Sequence, residues 1–162
     1  MKIAVSDLLF PGFRKFGIRP LNTEYGIEFF YEFGHDYYWD EETAVWGDRE
    51  FSIHGPCVAV DLADEANLNY LSAFEATFKY AQKINSQFVV VHTNECLPAD
   101  IKAGQELVIS RLAELLEMAQ KYGATLVIEN VGLRSKGNVL FTLEEYYALF
   151  ERFPQAMSLI DT

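Results

Sequence analysis

The chain has 162 residues, of which 13 are Lys or Arg and 24 are Asp or Glu, so its formal net charge is −11, and 50% of the residues are apolar. This composition excludes a disordered tail and suits one compact domain, taken here as residues 1–162. The acidic balance disfavours nucleic acid as a partner, because affinity for phosphates comes largely from Lys and Arg. No apolar run approaches the ~18 residues that span a bilayer, and no secretory signal is evident, so we expect a cytoplasmic protein with no membrane partner.

Strand-like and helical segments alternate along the chain. Residues 2–6 and 26–33 are predicted strands joined by a connection with at most a short helix, and 35–49 is predicted to be an aromatic, acidic loop with at least one helical turn. From residue 51 onward, short segments rich in β-branched and apolar residues predict buried parallel strands at 51–54, 88–92, 125–129 and 157–161.

Three amphipathic helices are predicted between these strands, over about 66–84, 101–122 and 142–153, from apolar residues spaced by three and four. Gly123 suits the end of the second helix because glycine tolerates a left-handed backbone, and Thr142 with Glu145 has the spacing of a capping box. Six strands with about five helical connections predict an α/β fold with a parallel sheet.

Four of the predicted strands end on an ionisable side chain, and the carboxyl ends of parallel strands meet at one rim, where ligand sites form. Two imidazoles and two carboxylates suit a divalent metal such as Zn, Mn, Fe or Co, or Mg with fewer histidines. Each residue alone has an ordinary alternative role as a hydrogen-bonded, helix-capping or Lys-paired group. Converging ionisable groups are costly without a cation or a hydrogen-bond network, so we predict a joint site. Its members are His54, His92, Glu129 and Asp161.

Further candidates lie close to these strand ends. Glu28 and Glu32 share one face of the second predicted strand, and the pattern leaves open whether they contact a substrate or are solvated or Lys-paired. Cys57 and Cys96 follow the two strand-end histidines by three and four residues. With no basic residue beside either cysteine, we favour inert packing over thiolate chemistry or metal binding.

The segments FSIHGP, FVVVHTNE, LVIENVG and LIDT resemble the third to sixth strand ends of the xylose isomerase-like barrel superfamily. That superfamily contains sugar isomerases, sugar epimerases and DNA-repair enzymes of the endonuclease IV type. The order IEN, FTLEEYYALF, LID also follows the family, and the resemblance covers most of residues 50–162. It implies a (β/α)8 TIM barrel, incomplete in this chain with about six of eight strands, because 162 residues fall short of the ~250 typical of this fold. We expect its open sheet edges to favour a homo-oligomer or edge-to-edge association.

The resemblance also implies roles for individual residues. Glu129 and Asp161 correspond to carboxylates that hold the catalytic metal, with Glu129 also the candidate base. His54 and His92 correspond to histidines that bind metal or substrate, and Asn130 to a residue that hydrogen-bonds substrate.

The implied activity is that of a divalent-metal-dependent isomerase or epimerase, with Mn, Zn, Mg or Co as cofactor and a small sugar or sugar derivative as substrate. The reaction is proton abstraction next to a carbonyl. We expect the 162-residue chain to be inactive by itself. The alternatives are a zinc phosphodiesterase of the endonuclease IV type acting on abasic DNA, or a non-catalytic barrel fragment.

Overall fold

The computed structural model of the chain describes residues 4–7, 24–32, 34–131 and 138–160. Six strands form a single sheet in which each strand pairs in parallel with the next along the chain. The strands are β1 Ala4–Asp7, β2 Gly26–Phe30, β3 Phe51–His54, β4 Phe88–His92, β5 Thr125–Glu129 and β6 Met157–Leu159. Helices α1 Asp36–Trp46, α2 Tyr70–Lys83, α3 Ile101–Tyr122 and α4 Leu143–Arg152 follow β2, β3, β4 and β5 in turn. Strands in sequence order with helical crossovers are the arrangement of a (β/α) barrel, here a partial one.

The strands predicted at 51–54, 88–92 and 125–129 are confirmed with these bounds. The segment 35–49, predicted as a loop with at least one helical turn, contains the 11-residue helix α1, so its helical part is longer than the single turn that was the minimum expected. The apolar pattern of α1 is hard to recognise in the sequence because the charged residue Glu42 is buried among its aromatic side chains. Helix α2 begins at Tyr70 rather than near residue 66, because aspartate side chains bind the backbone of the preceding turns.

One face of the sheet packs against the helices and forms the core. Alternate residues of the strands point to this face. Seven of them are at most 2% exposed. They are Ile27, Phe29, Ile53, Val89, Val91, Leu126 and Ile128. Phe74 and Phe78 of α2 and Leu112 and Leu115 of α3 pack in the same core cluster and are fully buried. The opposite face is therefore left for the residues that alternate with them.

Both predicted helix-end signals are confirmed. Gly123 ends α3 in the left-handed conformation, with φ of 72°. At the start of α4, the Glu145 backbone N–H donates to Thr142 Oγ1 (3.3 Å) and the Thr142 N–H donates to Glu145 Oε2 (2.8 Å). Local sequence thus sets the end of α3, shortly before β5 begins, and the start of α4.

A buried arginine on α3 holds the loop that follows β3. Arg111 is 5% exposed, and its Nη1 donates to the carbonyl oxygens of Asp61 (3.3 Å), Leu62 (3.2 Å) and Asp64 (2.8 Å). The Asp61 side chain in turn accepts the backbone N–H of Cys96 at 2.8 Å, in the loop that follows β4. The two loops are therefore tied to each other and to the helix layer.

None of the helices in the described part of the chain combines the length and the apolar character needed to cross a membrane.

We predict that Arg111→Leu lowers the free energy of unfolding by about 3 kcal/mol, because carbonyl groups of the loop lose a charged donor. Urea denaturation followed by circular dichroism measures this change. Arg152→Leu is the matched control, since Arg152 is exposed on α4, and we expect it to change stability by less than about 0.5 kcal/mol. Equal effects of the two substitutions would show that Arg111 does not anchor the loop.

Candidate metal centre

Three strand ends meet at the carboxyl edge of the sheet. His54, His92 and Glu129 are the last residues of β3, β4 and β5. The register aligns His92 with Glu129 and aligns His54 with Val90, two residues before the end of β4. Because side chains alternate along a strand, all three ionisable groups lie on the face opposite the core.

The two imidazoles face each other at close range. The Nε2 atoms of His54 and His92 are 2.9 Å apart, and the rings are nearly perpendicular, with an angle of 88° between their planes. Glu129 Oε2 lies 3.2 Å from the same Nε2 atom of His92. His54 is only 7% exposed. Two nitrogens and a carboxylate oxygen therefore converge where water has little access.

The other nitrogen of each imidazole faces a carboxylate. Glu95 Oε1 is 2.5 Å from Nδ1 of His92, and Glu28 Oε1 is 3.5 Å from Nδ1 of His54. The ring of Phe30 stacks on His54 with 4.5 Å between ring centroids. A carboxylate that accepts the Nδ1–H fixes the tautomer and leaves a lone pair on Nε2. In the neutral imidazoles, the form that binds a metal, both Nε2 lone pairs then point into the same space.

Cys57 joins this group from the loop after β3. Donor atoms of His54, Cys57 and His92 all lie within 4.8 Å of one another, as in a group that can hold a metal ion. The backbone N–H groups of Cys57 and Val58 donate to Glu32 Oε1 at 3.1 and 2.9 Å. Glu32, whose role the sequence left open, therefore holds the cysteine loop against the end of β2.

The surroundings of the imidazoles favour positive charge. Burial lowers the pKa of His54, but hydrogen bonds with Cys57 and Glu28 outweigh burial, so the pKa rises from 6.5 to about 9. Burial also lowers the pKa of His92, but hydrogen bonds with Cys57, Glu129 and Glu95 raise it from 6.5 to about 11. An environment that stabilises a proton so strongly is also suited to a cation.

The structure brings together four of the six residues predicted from the sequence: Glu28, His54, His92 and Glu129. Asn130 directly follows β5, and its backbone N–H donates to the carbonyl oxygen of Leu159 at 3.2 Å, which extends the pairing of β5 with β6. Asp161 lies outside the described residues. The functional roles of all six remain proposals.

Two residues at the centre were not assigned to it from the sequence. Cys57 was predicted to pack inertly, and Glu95 was given no role. The available signal was the spacing, because each residue lies three positions after a strand-end histidine and so returns towards it in the turn after the strand.

A cavity of about 1000 Å³ lies at the opposite, amino-terminal ends of β2, β3 and β4, and its lining includes Tyr25, Arg49 and Phe88. None of the predicted site residues lines this cavity. We therefore assign the candidate site to the histidine pair.

We predict that the metal-free protein loses stability as the pH rises above neutrality. The folded pKa values of His54 and His92 lie above their unfolded value of 6.5, so the folded state binds protons more tightly. The resulting stabilisation is complete below about pH 6.5; the part due to His54 is lost as the pH rises through about 9, and that due to His92 as it rises through about 11. Urea denaturation in a chelating buffer at several pH values measures it.

His54→Gln is expected to flatten this pH dependence. His35→Gln is the matched control, because His35 is exposed at the start of α1. A pH dependence that is the same in the unsubstituted protein and in His54→Gln would contradict the prediction.

The sequence matches the family described as xylose isomerase-like TIM barrel over residues 26–162. No curated protein sequence matches the chain significantly.

Three solved structures illustrate what the fold is similar to. A D-tagatose 3-epimerase-like protein has a TM-score of 0.69 and 22% identity, with 92% of this chain and 60% of that chain covered. An L-ribulose 3-epimerase has a TM-score of 0.71 and 14% identity, with 99% and 60% covered. An AP endonuclease, family 2, from Brucella melitensis has a TM-score of 0.72 and 15% identity, with 99% and 67% covered. At these identities the likeness shows the fold alone, and the chain spans 60% of the length of each epimerase.

Proposed function

The chain belongs to the xylose isomerase-like TIM barrel family, and on this premise we propose that it forms part of a divalent-metal-dependent isomerase or epimerase that acts on a sugar or sugar derivative. The observation that carries the proposal is the convergence of His54, His92 and Glu129 at the carboxyl ends of three adjacent strands. Likeness to a D-tagatose 3-epimerase-like protein and to an L-ribulose 3-epimerase supports a sugar as the substrate.

The donor set fits a divalent metal on geometric grounds. When each Nδ1–H is directed at a carboxylate, two Nε2 lone pairs face each other at 2.9 Å and repel unless a proton or a cation lies between them. Imidazole nitrogens with a carboxylate oxygen suit Zn, Mn or Co. His54, His92 and Glu129 would hold the ion. Asp161, predicted as a further ligand, lies outside the described residues.

The proposed reaction moves a proton at the carbon next to a carbonyl group. A bound divalent ion polarises that carbonyl and its neighbouring hydroxyl, which stabilises the negative charge that develops as the proton leaves. Glu129 is the candidate base, because its carboxylate lies at the rim of the sheet beside His92. Glu28 and Asn130 are candidates for hydrogen bonds to sugar hydroxyls, and imidazole groups of the centre can also bind substrate oxygens.

Hydrogen exchange at carbon tests this proposal directly. We expect a complete (β/α)8 barrel that contains this chain, incubated with Mn²⁺ and a panel of ketoses and aldoses in D₂O, to incorporate deuterium next to the carbonyl of its substrate, as measured by NMR. Glu129→Gln should slow the exchange by about 10²-fold or more, because amides do not act as bases. Glu117→Gln is the matched control, since Glu117 is exposed on α3. Unchanged exchange in Glu129→Gln would refute its role as the base.

We further predict that Glu95→Gln weakens Mn²⁺ and Zn²⁺ binding by about 10- to 100-fold, because carboxylates behind ligating histidines orient the ring and raise its basicity. Isothermal titration calorimetry measures the affinity. Glu106→Gln, at an exposed position of α3, should bind metal as tightly as the unsubstituted protein. Equal affinity in Glu95→Gln and Glu106→Gln would mean that Glu95 does not support a metal ligand.

A zinc phosphodiesterase that cuts beside abasic sites in DNA is the second candidate. The paired imidazoles favour it, as does the likeness to an AP endonuclease of family 2. The net charge of −11 disfavours it, because DNA binding depends on Lys and Arg. Cleavage of a duplex with one abasic site in the presence of Zn²⁺, without exchange on any sugar, would favour this candidate. If the protein binds no metal, exchanges no hydrogen on a sugar and cleaves no abasic DNA, these results would favour the alternative of a non-catalytic barrel fragment.

A further inference from the structure

We infer that Cys57 is a ligand of the metal centre together with His54 and His92, and that its sulfur makes the centre selective for Zn²⁺, or for a similar borderline-soft ion, over Mg²⁺. This inference rests on the metal centre proposed above and adds a ligand and a selectivity to it.

The distances allow all three side chains to reach one ion. Their donor atoms lie within 4.8 Å of one another. In tetrahedral zinc sites with Zn–N of about 2.0 Å and Zn–S of about 2.3 Å, ligand atoms are about 3.3 to 3.6 Å apart. Small side-chain rotations therefore suffice to bring the sulfur and the two imidazoles onto an ion.

The backbone holds Cys57 where such a ligand is needed. Glu32 accepts the N–H groups of Cys57 and of the next residue, and Gly55 donates its N–H to the carbonyl oxygen of Val90 at 2.9 Å. A Cβ atom on Gly55 would lie 2.6 Å from that oxygen. The absence of a side chain at Gly55 thus lets the loop approach β4 closely, which brings Cys57 towards His92.

The surroundings of Cys57 are those of a ligand rather than of an inert packing residue. Cys57 is 8% exposed, and its sulfur lies within 4.8 Å of a ring nitrogen of each imidazole. When a metal binds, the S–H bond of Cys57 and the Nε2–H bonds of the protonated imidazoles break, their protons pass to solvent, and sulfur–metal and nitrogen–metal bonds form without any change of oxidation state. Thiolate and imidazole ligands select zinc-like ions, whereas Mg²⁺ prefers oxygen donors.

Cobalt substitution tests the sulfur ligand by a signature that activity does not provide. We expect Co²⁺ added to the metal-free protein to produce a near-ultraviolet thiolate-to-cobalt charge-transfer band as well as visible d–d bands. Cys57→Ser should lose the charge-transfer band and bind Zn²⁺ at least about tenfold more weakly. Cys96→Ser is the matched control, because Cys96 is exposed, and it should keep both the band and the affinity.

A second measurement needs no substitution and so does not depend on how a variant folds. Zn²⁺ should slow the alkylation of Cys57 by iodoacetamide, quantified by mass spectrometry of peptides, and leave that of Cys96 unchanged, while Mg²⁺ should protect neither. If Co²⁺ binds without a charge-transfer band and Zn²⁺ does not protect Cys57, the sulfur is not a ligand, and the inference is wrong. The proposed metal centre would not be contradicted by that result. Failure of Co²⁺, Zn²⁺ and Mn²⁺ to bind at all would overturn both.

Discussion

Two imidazole nitrogens held 2.9 Å apart, each with a carboxylate behind its ring, are the constraint around which this end of the molecule is organised. When each Nδ1–H is directed at a carboxylate, a positive charge between or upon the rings stabilises such a pair, and hydrogen bonds with neighbouring side chains raise the pKa of His54 and His92 accordingly. A proton meets that requirement in the metal-free protein. A divalent ion meets it in the proposed function, and the two compete for the same nitrogens.

The parallel sheet provides the rigidity that this arrangement needs. Its core face is almost fully buried against helices, so the strands cannot slide without exposing apolar side chains. With the register fixed, His92 and Glu129 are neighbours across one ladder. The loops after β3 and β4 are then held by Arg111 and by Asp61, so that Cys57 and Glu95 return to the strand ends from which they depart.

The order of elements and the candidate rim were predictable from the sequence because they depend on periodicity. Apolar runs of four to five residues correctly predicted β3, β4 and β5. Gly123 correctly predicted the end of α3, and the spacing of Thr142 and Glu145 correctly predicted the cap of α4. The convergence of His54, His92 and Glu129 followed from parallel pairing alone. These features need no knowledge of side-chain rotamers.

What escaped prediction depends on turns and on three-dimensional partners. The full extent of α1 was not predicted, because the helix buries Glu42 among aromatic residues. Helix α2 begins later than predicted because aspartate side chains bind the preceding backbone. Metal binding by Cys57 was disfavoured and Glu95 was given no role, because only the path of a loop decides whether a residue three positions after a strand returns to it. Neighbours in the sequence do not describe the surroundings of Cys57, because the ring nitrogens within 4.8 Å of its sulfur belong to histidines of two strands.

All the donors that the described residues contribute to the proposed centre come from β3, β4 and β5 and from the loop after β3. These strands are consecutive in both sequence and space, so capture of an ion does not require a closed cylinder. In the proposed centre, all of these donors would therefore be available once β5 has been synthesised. A bound ion would then hold the ends of β3, β4 and β5 together while later residues of the chain are still being translated.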